Sequence, residues 1–355
     1  MPTHSQDTPR PLPDRPDLRH LKNQAKDLFR AGDARSLTDA QFKIARLYGF
    51  ASWPKLKAHV DSLEEIGQLK HAIDTNDFEG VKTLMSRNPA LHGAPLGYNK
   101  NGPLTWVAEC RVPWEPPSVE RLAMAKWMID NGSDVHQGGD GPLMRAALFG
   151  HRIPMMELLV SHGADVNAEW NGYFPILFAP CETVEPTPIK WLLEHGANPN
   201  CAKPQRKYPG TALDYVIATY GRSRQLGTCI QLLLDAGGVT KHDVPPVLDL
   251  LRGRLDYLAE LLDADAANAR ATVDESGIGG QTALFHAVTQ FGDCGLLAAQ
   301  LLMDHGAYLS VRVRLPRHYE RPGEIVECTP LGYALQFPGG ENKTVAKLRE
   351  RGAAE

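Results

Sequence analysis

What this sequence lacks excludes several classes of protein. No stretch approaches the ~20 continuous apolar residues that a bilayer demands, and residues 1–16 are polar and rich in proline where a secretory signal would be apolar. No sign of charge dominates. The 38 Lys and Arg are interspersed with 42 Asp and Glu for a net charge of -4, so no positive field is built that would hold a phosphate backbone. Six cysteines lie far apart in a long chain and form no Cys-x-x-Cys pair, and no His-x-x-x-His or His-Glu-x-x-His helix motif gathers metal ligands on one face. There is no Gly-x-Ser-x-Gly elbow, and Gly277-Ile278-Gly279-Gly280 is expected in a loop between repeats, without the preceding strand that a phosphate loop requires. The expectation is a cytoplasmic protein with reduced thiols, no cofactor and no metal, which touches neither nucleic acid nor membrane.

What is present is apolar residue in quantity and in period. Hydrophobic residues make up 43% of the chain and charged residues 23%, near the globular average. At 355 residues the chain outruns one ordinary core and calls for several domains or a stacked array. An apolar helix that ends in Gly and a turn-forming segment recurs as Leu158-Leu159-Val160-Ser161-His162-Gly163-Ala164-Asp165 and as Leu192-Leu193-Glu194-His195-Gly196-Ala197-Asn198. Weaker copies end at Gly132, Gly237, Gly306 and Gly352. Gly stops a helix because it takes the left-handed conformation without steric cost, and the Asp or Asn after it favours a turn. A second signature opens each unit, as Thr329-Pro330-Leu331, Thr282-Ala283-Leu284 and Thr211-Ala212-Leu213, with Gly-Pro-Leu variants at 102–104 and 141–143. Thr caps the orphan amides of a helix start, and Pro fits the first helical position.

Together these starts and ends closely resemble the ankyrin repeat, a turn plus two antiparallel helices, over approximately residues 66 to 355. The best unit runs from Asp140 to Asn167. The resemblance implies an all-α solenoid of about six to eight helix pairs. The fourth position of the opening tetrapeptide, usually His in that family, is Thr105, Met144, Leu177, Asp214, Phe285 or Gly332 here, so bonding between neighbouring turns is expected to weaken. Residues 244–271 and 68–89 keep only the helix rhythm and are expected as degenerate repeats. Within 308–328, Val311-Arg312-Val313-Arg314-Leu315 alternates and Glu324-Ile325-Val326-Glu327 resumes the pattern, which reads as an extended β-hairpin insertion. Residues 110–118 and 180–188 read as Pro-rich loops.

The expected domains are a disordered Pro-rich tail over 1–16, a helical N-terminal cap over 17–64 and the solenoid over 65–355. The cap's amphipathic patterns lie around Leu21, Ala25, Leu28 and Phe29 and around Phe42, Ile44, Ala45 and Leu47. Its sequence resembles a leader segment in front of many bacterial ankyrin proteins. A cap covers the apolar face that an end repeat would leave open.

Function is expected at two places. The residue after each opening tetrapeptide gives the row Trp106, Arg145, Phe178, Tyr215, His286 and Tyr333, mostly aromatic. Such residues are enriched at interface hot spots, so the row is a candidate concave surface for another protein, and packing between repeats is the competing explanation. The second place is a Trp- and Glu-rich set, Glu109, Trp114, Glu115, Trp170 and Glu182, a candidate glycan or small-molecule site. Hydrolysis there would need two carboxyl groups roughly 5 to 10 Å apart. A binding scaffold rather than an enzyme is the expectation. His151, His162, His195 and His305 next to helix ends are expected to bond the last carbonyls of their helices.

Overall fold

The computed structural model describes residues 9–13, 16–109, 116–138, 141–170, 174–203, 210–218, 224–274, 280–289, 293–316, 324–336 and 341–355. Most of the expected tail over 1–16, and residues 110–115 of the loop expected over 110–118, lie outside these residues. Three helices come first: α1 (Leu18–Arg30), α2 (Leu37–Leu47) and α3 (Trp53–Asp74). Asp17 and Ser36 cap the first two by accepting amide bonds from Arg19 and Asp39. Their apolar faces close over a core of their own around Leu21, Ala25, Ile44, Leu56 and Val60. The boundary expected between residues 64 and 65 falls inside α3, whose later turns carry Leu69 and Ile73 into a second core.

That second core runs without interruption to Leu348. Eight helix pairs build it among the described residues. The end of α3 pairs with α4 (Phe78–Arg87), and α5 (Pro103–Ala108) with α6 (Val119–Asp130). Then α7 (Pro142–Ala146) pairs with α8 (Ile153–Ser161), β1 (Glu169–Trp170) and β2 (Phe174–Pro175) form a short hairpin, and α9 (Phe178–Thr183) pairs with α10 (Pro186–Glu194). The later pairs are α11 (Ala212–Ala218) with α12 (Leu226–Asp235) and α13 (Pro245–Leu251) with α14 (Leu255–Ala264). A second hairpin, β3 (Thr272–Asp274) and β4 (Gln281–Thr282), precedes α15 (Ala283–Val288) and α16 (Leu296–Asp304). A third, β5 (Val313–Pro316) and β6 (Ile325–Cys328), precedes α17 (Pro330–Ala334) and α18 (Lys343–Glu350). Inner helices stack on inner helices, as α5 on α7, α9 on α11, and α13 on α15 on α17. Outer helices do likewise, as α4, α6 and α8, then α10 and α12, then α14, α16 and α18. Leu159 and Leu302 lie within this core, and Leu193 and Leu234 pack against it. The protein is an all-α solenoid with small strand hairpins.

Local chemistry explains the period. After α8, Gly163 takes φ of 93° and the Ala164 amide bonds back to the Leu159 carbonyl, and Gly196 repeats the arrangement after α10 with φ of 90°. Only Gly holds that conformation without a steric penalty. The starts are more varied than expected. Thr329 caps α17 by accepting the Gly332 amide, and Thr211 and Asp214 cap each other's amides at 3.2 and 3.1 Å, but Thr282 makes no side-chain cap bond. The hairpin expected near 308–328 pairs Val313 with Cys328 and Arg314 with Glu327, and residues 317–323 lie outside the described ones. Residues 244–271, weak as a repeat, fold as the complete pair α13 and α14.

One expectation fails. Residues 180–188 are not a loop, because α9 and α10 occupy most of them. Pro180 is the third residue of α9, and Pro186 and Pro188 are the first and third of α10. In a first turn no amide has an intrahelical partner, so proline costs no hydrogen bond there. The chain reverses between the helices at Val184, which takes the left-handed conformation with φ of 56°.

Candidate functional site

The candidate row places one residue on each of α5, α7, α9, α11, α15 and α17, and burial divides its members. Trp106, Phe178, Tyr215 and His286 are buried, whereas Arg145 and Tyr333 are half-buried. Packed helices sit about 8–10 Å apart, so a large side chain at this position meets the neighbouring helix before it meets water. Phe178 stacks on Tyr215 with ring centroids 4.6 Å apart, and Phe174 sets its edge against both at 5.7 Å. Trp106 donates its indole N–H to Asp74 Oδ1 at 2.7 Å and receives Lys70 Nζ over its ring at 4.3 Å. His286 lies edge-on to buried His242, and Tyr333 tilts against buried Phe285 at 6.0 Å. For the four buried members, packing between repeats is what the position does.

The Trp- and Glu-rich set is only partly assembled. Trp114 and Glu115 lie outside the described residues. Glu109, buried at the end of α5, forms an ion pair of 3.1 Å with Arg145, whose guanidinium also lies over the exposed Tyr98 ring at 5.5 Å. Its carboxylate is thus committed to a neighbouring repeat. Glu182 is half-buried in α9. Trp170 sits on the β1–β2 hairpin and lines a cavity of about 220 Å³ that includes neither Glu109 nor Glu182. Near α9, burial raises the Glu185 carboxyl above its ordinary range even though the Gly150 amide donates to it. Burial also pushes the Cys229 thiol up to about 12, with the Glu185 charge adding to the effect, so this thiol stays protonated.

The cavity lies between two successive turns, 135–138 and 164–170, and is floored by Leu143, Met144 and Ile176. Its polar wall is held by bonds that the sequence reading missed. His136 Nε2 accepts the Asp165 amide at 3.0 Å. Gln137 accepts the Thr105 amide through Oε1 and donates through Nε2 to the His92 carbonyl. The same device continues along the array. Asn167 donates to the Gly196 carbonyl at 3.0 Å and accepts the Asn198 amide at 2.8 Å, and Asn200 does the same with Gly237 and Val239 at 2.8 and 2.9 Å. A signal for this ladder existed, since His136, Asn167 and Asn200 each stand four places after a helix-ending Gly. Asp214 fills the tetrapeptide position where His was expected, and its Oδ1 accepts the Thr240 hydroxyl at 2.6 Å and the Lys241 amide at 2.9 Å. The turns are therefore tied together by other residues.

Of the four terminal histidines, His162, His195 and His305 bond through Nδ1 to the Leu158, Trp191 and Leu301 carbonyls at 2.8, 2.7 and 2.8 Å, as expected. His151 instead stacks on Phe149 at 5.8 Å. No helix among the described residues is long and apolar enough to cross a membrane. The described residues also contain no cluster of three or more His, Cys, Asp or Glu placed to hold a metal ion.

Compared with known proteins, residues 117–203 match the family model for ankyrin repeats, in three copies. No curated protein matches the chain. Among solved structures, the crystal structure of the human ASB11 ankyrin repeat domain is similar to it, with a TM-score of 0.41 and 21% identity. That likeness covers 72% of this chain and 100% of the other.

Proposed function

Starting from a chain that is an ankyrin-repeat protein, we propose that it is a binding scaffold for another protein, which it grips on the side where the inner helices and turns reach solvent. The observation that supports this is the side-chain ladder through His136, Asn167 and Asn200, which fixes successive turns in register on one continuous core. A rigid row of turns presents its outward side chains without an ordering cost at binding. Tyr98, 64% exposed, and half-buried Tyr333 are the aromatic contacts along this side, with Arg145 between them in the order of the repeats. Residues 17–64 act in this reading as the cap and 65–355 as the solenoid, and the work is done in the cytoplasm.

Affinity capture from the native cytoplasm tests the reading. The wild type is compared with the pair Tyr98→Ala and Tyr333→Ala, and with Lys190→Ala on α10, where the lysine makes an exposed i,i+4 ion pair with Glu194. The double variant is expected to lose most of the captured partner while the Lys190 variant keeps it. Undiminished capture by a double variant with native circular dichroism would overturn the assigned face.

One observation favours a second reading, a glycan or small-molecule site, namely Trp170 in the wall of a cavity. Sugars stack on such rings, and a panel of simple glycans titrated against the indole signal of Trp170 tests it. Hydrolysis would in addition need the two carboxyl groups among the lining residues, Asp165 and Glu169, to flank the bound glycosidic bond roughly 5 to 10 Å apart.

A further inference from the structure

We propose that the chain associates with a second copy of itself, the basic face of α1 on one copy docking against the acidic face of α14 on the other. This goes beyond the scaffold reading and does not depend on it. Charge is unevenly placed along the sequence. Residues 1–64 carry 11 Lys and Arg against 8 Asp and Glu, whereas residues 243–304 carry 3 against 10. The remaining repeat residues, 65–242 and 305–355, are balanced at 24 against 24. One copy therefore offers a basic end and an acidic stretch, and unlike charge draws copies together.

The charges are arranged as faces. On α1, Arg19, Lys22 and Lys26 follow at intervals of three and four residues, which puts them on one side of the helix, away from the buried Leu21 and Ala25. All three are exposed, and none makes an ion pair among the described residues. Arg30, one turn on, already pairs with Asp27. Phe29, 46% exposed, lies one turn after Lys26 and adds apolar contact. On α14, Asp256 and Glu260 are exposed, four residues apart, and likewise pair with no cation among the described residues. Asp263 completes this face, held through Oδ1 by His305. The nearby Arg252 and Arg254 pair with Asp249 instead. Each trio spans about 10 Å of its helix. Run in opposite directions, the two helices set Arg19 by Asp263, Lys22 by Glu260 and Lys26 by Asp256.

The fold leaves the α1 face open to another copy. The cap core around Leu21 and Leu56 is separate from the repeat core, and α3 crosses from one to the other through residues 61–64, which are all exposed. No hydrogen bond or ion pair among the described residues joins residues 9–60 to anything beyond α3. The same chain cannot make the contact. α14 is the sixth outer helix, five steps of about 8–10 Å from α4, so about 40 Å of array or more separates it from the end where the cap is attached. One helix face against another buries less than the ~1,600 Å² of a standard stable interface, and the association is accordingly weak and sensitive to salt. Because the two faces are unlike, copies add head to tail unless two of them close a reciprocal pair.

Sedimentation of the full chain over a micromolar to submillimolar series, in about 20 mM and about 300 mM salt, tests the contact. In low salt the mean mass is expected to rise with concentration from the 39.0 kDa of one chain, and in high salt to stay there. Lys22→Glu with Lys26→Glu, and separately Asp256→Lys with Glu260→Lys, are each expected to weaken association at least about tenfold. Mixing these two variants is expected to restore it, since each then meets an unlike face, and so is combining all four substitutions in one chain. A wild type that keeps the mass of one chain throughout the low-salt series would overturn the proposal. So would association that survives either reversal in a protein with native circular dichroism. If the wild type associates and the mixture does not, the basic face meets some surface other than α14, and the assignment falls. Capture of a different protein through Tyr98 and Tyr333 is read separately, so either reading can fail while the other stands.

Discussion

Two rows of residues run along this array and do opposite work. The helix row, Trp106 to Tyr333, is large and mostly aromatic, and its buried members hold neighbouring inner helices together. The turn row, His136, Asn167 and Asn200, is polar and exposed, and spans from one turn to the next with one hydrogen bond from His136 and a pair from each asparagine. Side-chain type alone would assign contact with a partner to the first row and a bland surface to the second. In the fold, the aromatic residues supply cohesion and the polar ones supply register. A solenoid has no distant part of the chain to pack against, so each layer must be both glued and aligned by its immediate neighbours.

Removing glue should have the largest effect. Phe178, fully buried between Phe174 and Tyr215, is expected to cost about 3–5 kcal/mol when replaced by Ala. Urea unfolding measures the loss, and a cost under about 1 kcal/mol would mean that this row does not hold the layers together. Next comes Arg121 of α6. It is buried, and its guanidinium donates to the carbonyls of Ile73, Trp106 and Val107, tying the end of α3 to α5. Arg121→Ala leaves those carbonyls short of donors and is expected to cost about 3 kcal/mol. Hydrogen exchange should speed up first in α3 through α6, which separates this joint from a general loss of stability.

Breaking register should cost less. Asn200→Ala removes two exposed hydrogen bonds, each at the low end of a net about 0.5–1.5 kcal/mol because solvent takes their place, so about 1 kcal/mol in total is expected. The informative measurement is the amide exchange of Val239, whose partner is Asn200 Oδ1. Faster exchange there, with α12 unchanged, would confirm that the turn row aligns rather than coheres.

The sequence carried the layers more legibly than it carried the direction of their side chains. Gly163-Ala164-Asp165 and Gly196-Ala197-Asn198 announce helix ends because helix termination is a local event. The burial of Phe178 and Tyr215 depends on a neighbour more than thirty residues away, which no local period encodes. Pro180, Pro186 and Pro188 misled for a related reason. Clustered prolines suggest a loop, yet each sits in a first helical turn where it is harmless. The cavity followed the same pattern. Trp170 was legible as a candidate, but the cavity it lines together with His136 and Gln137 forms only when two turns are laid side by side.

The smallest expected effect compares an inward histidine with an outward one. Burial lowers the pKa of His92, whose Nδ1 lies 2.7 Å from Ser133 Oγ, so the folded chain resists charging it. Stability is then lost as pH falls below the ordinary histidine value of about 6.5, because the unfolded chain takes up a proton that the folded one refuses. His305 is shifted the other way. Its side-chain bond to Asp263 comes first among the causes, followed by the bond to the Leu301 carbonyl, and together they raise its pKa. Its contribution is fully present below about 6.5 and fades as pH rises through the raised value. Asp263 is 75% exposed, so solvent screens the pair and keeps the effect small. Melting temperature should therefore fall toward pH 5 because of the inward histidine and decline gently toward pH 8.5 because of the outward one. Asp263→Asn should flatten the basic limb and leave the acid limb in place. If both limbs survive that substitution unchanged, the ion pair between the α14 and α16 ends contributes nothing to holding those outer helices in register.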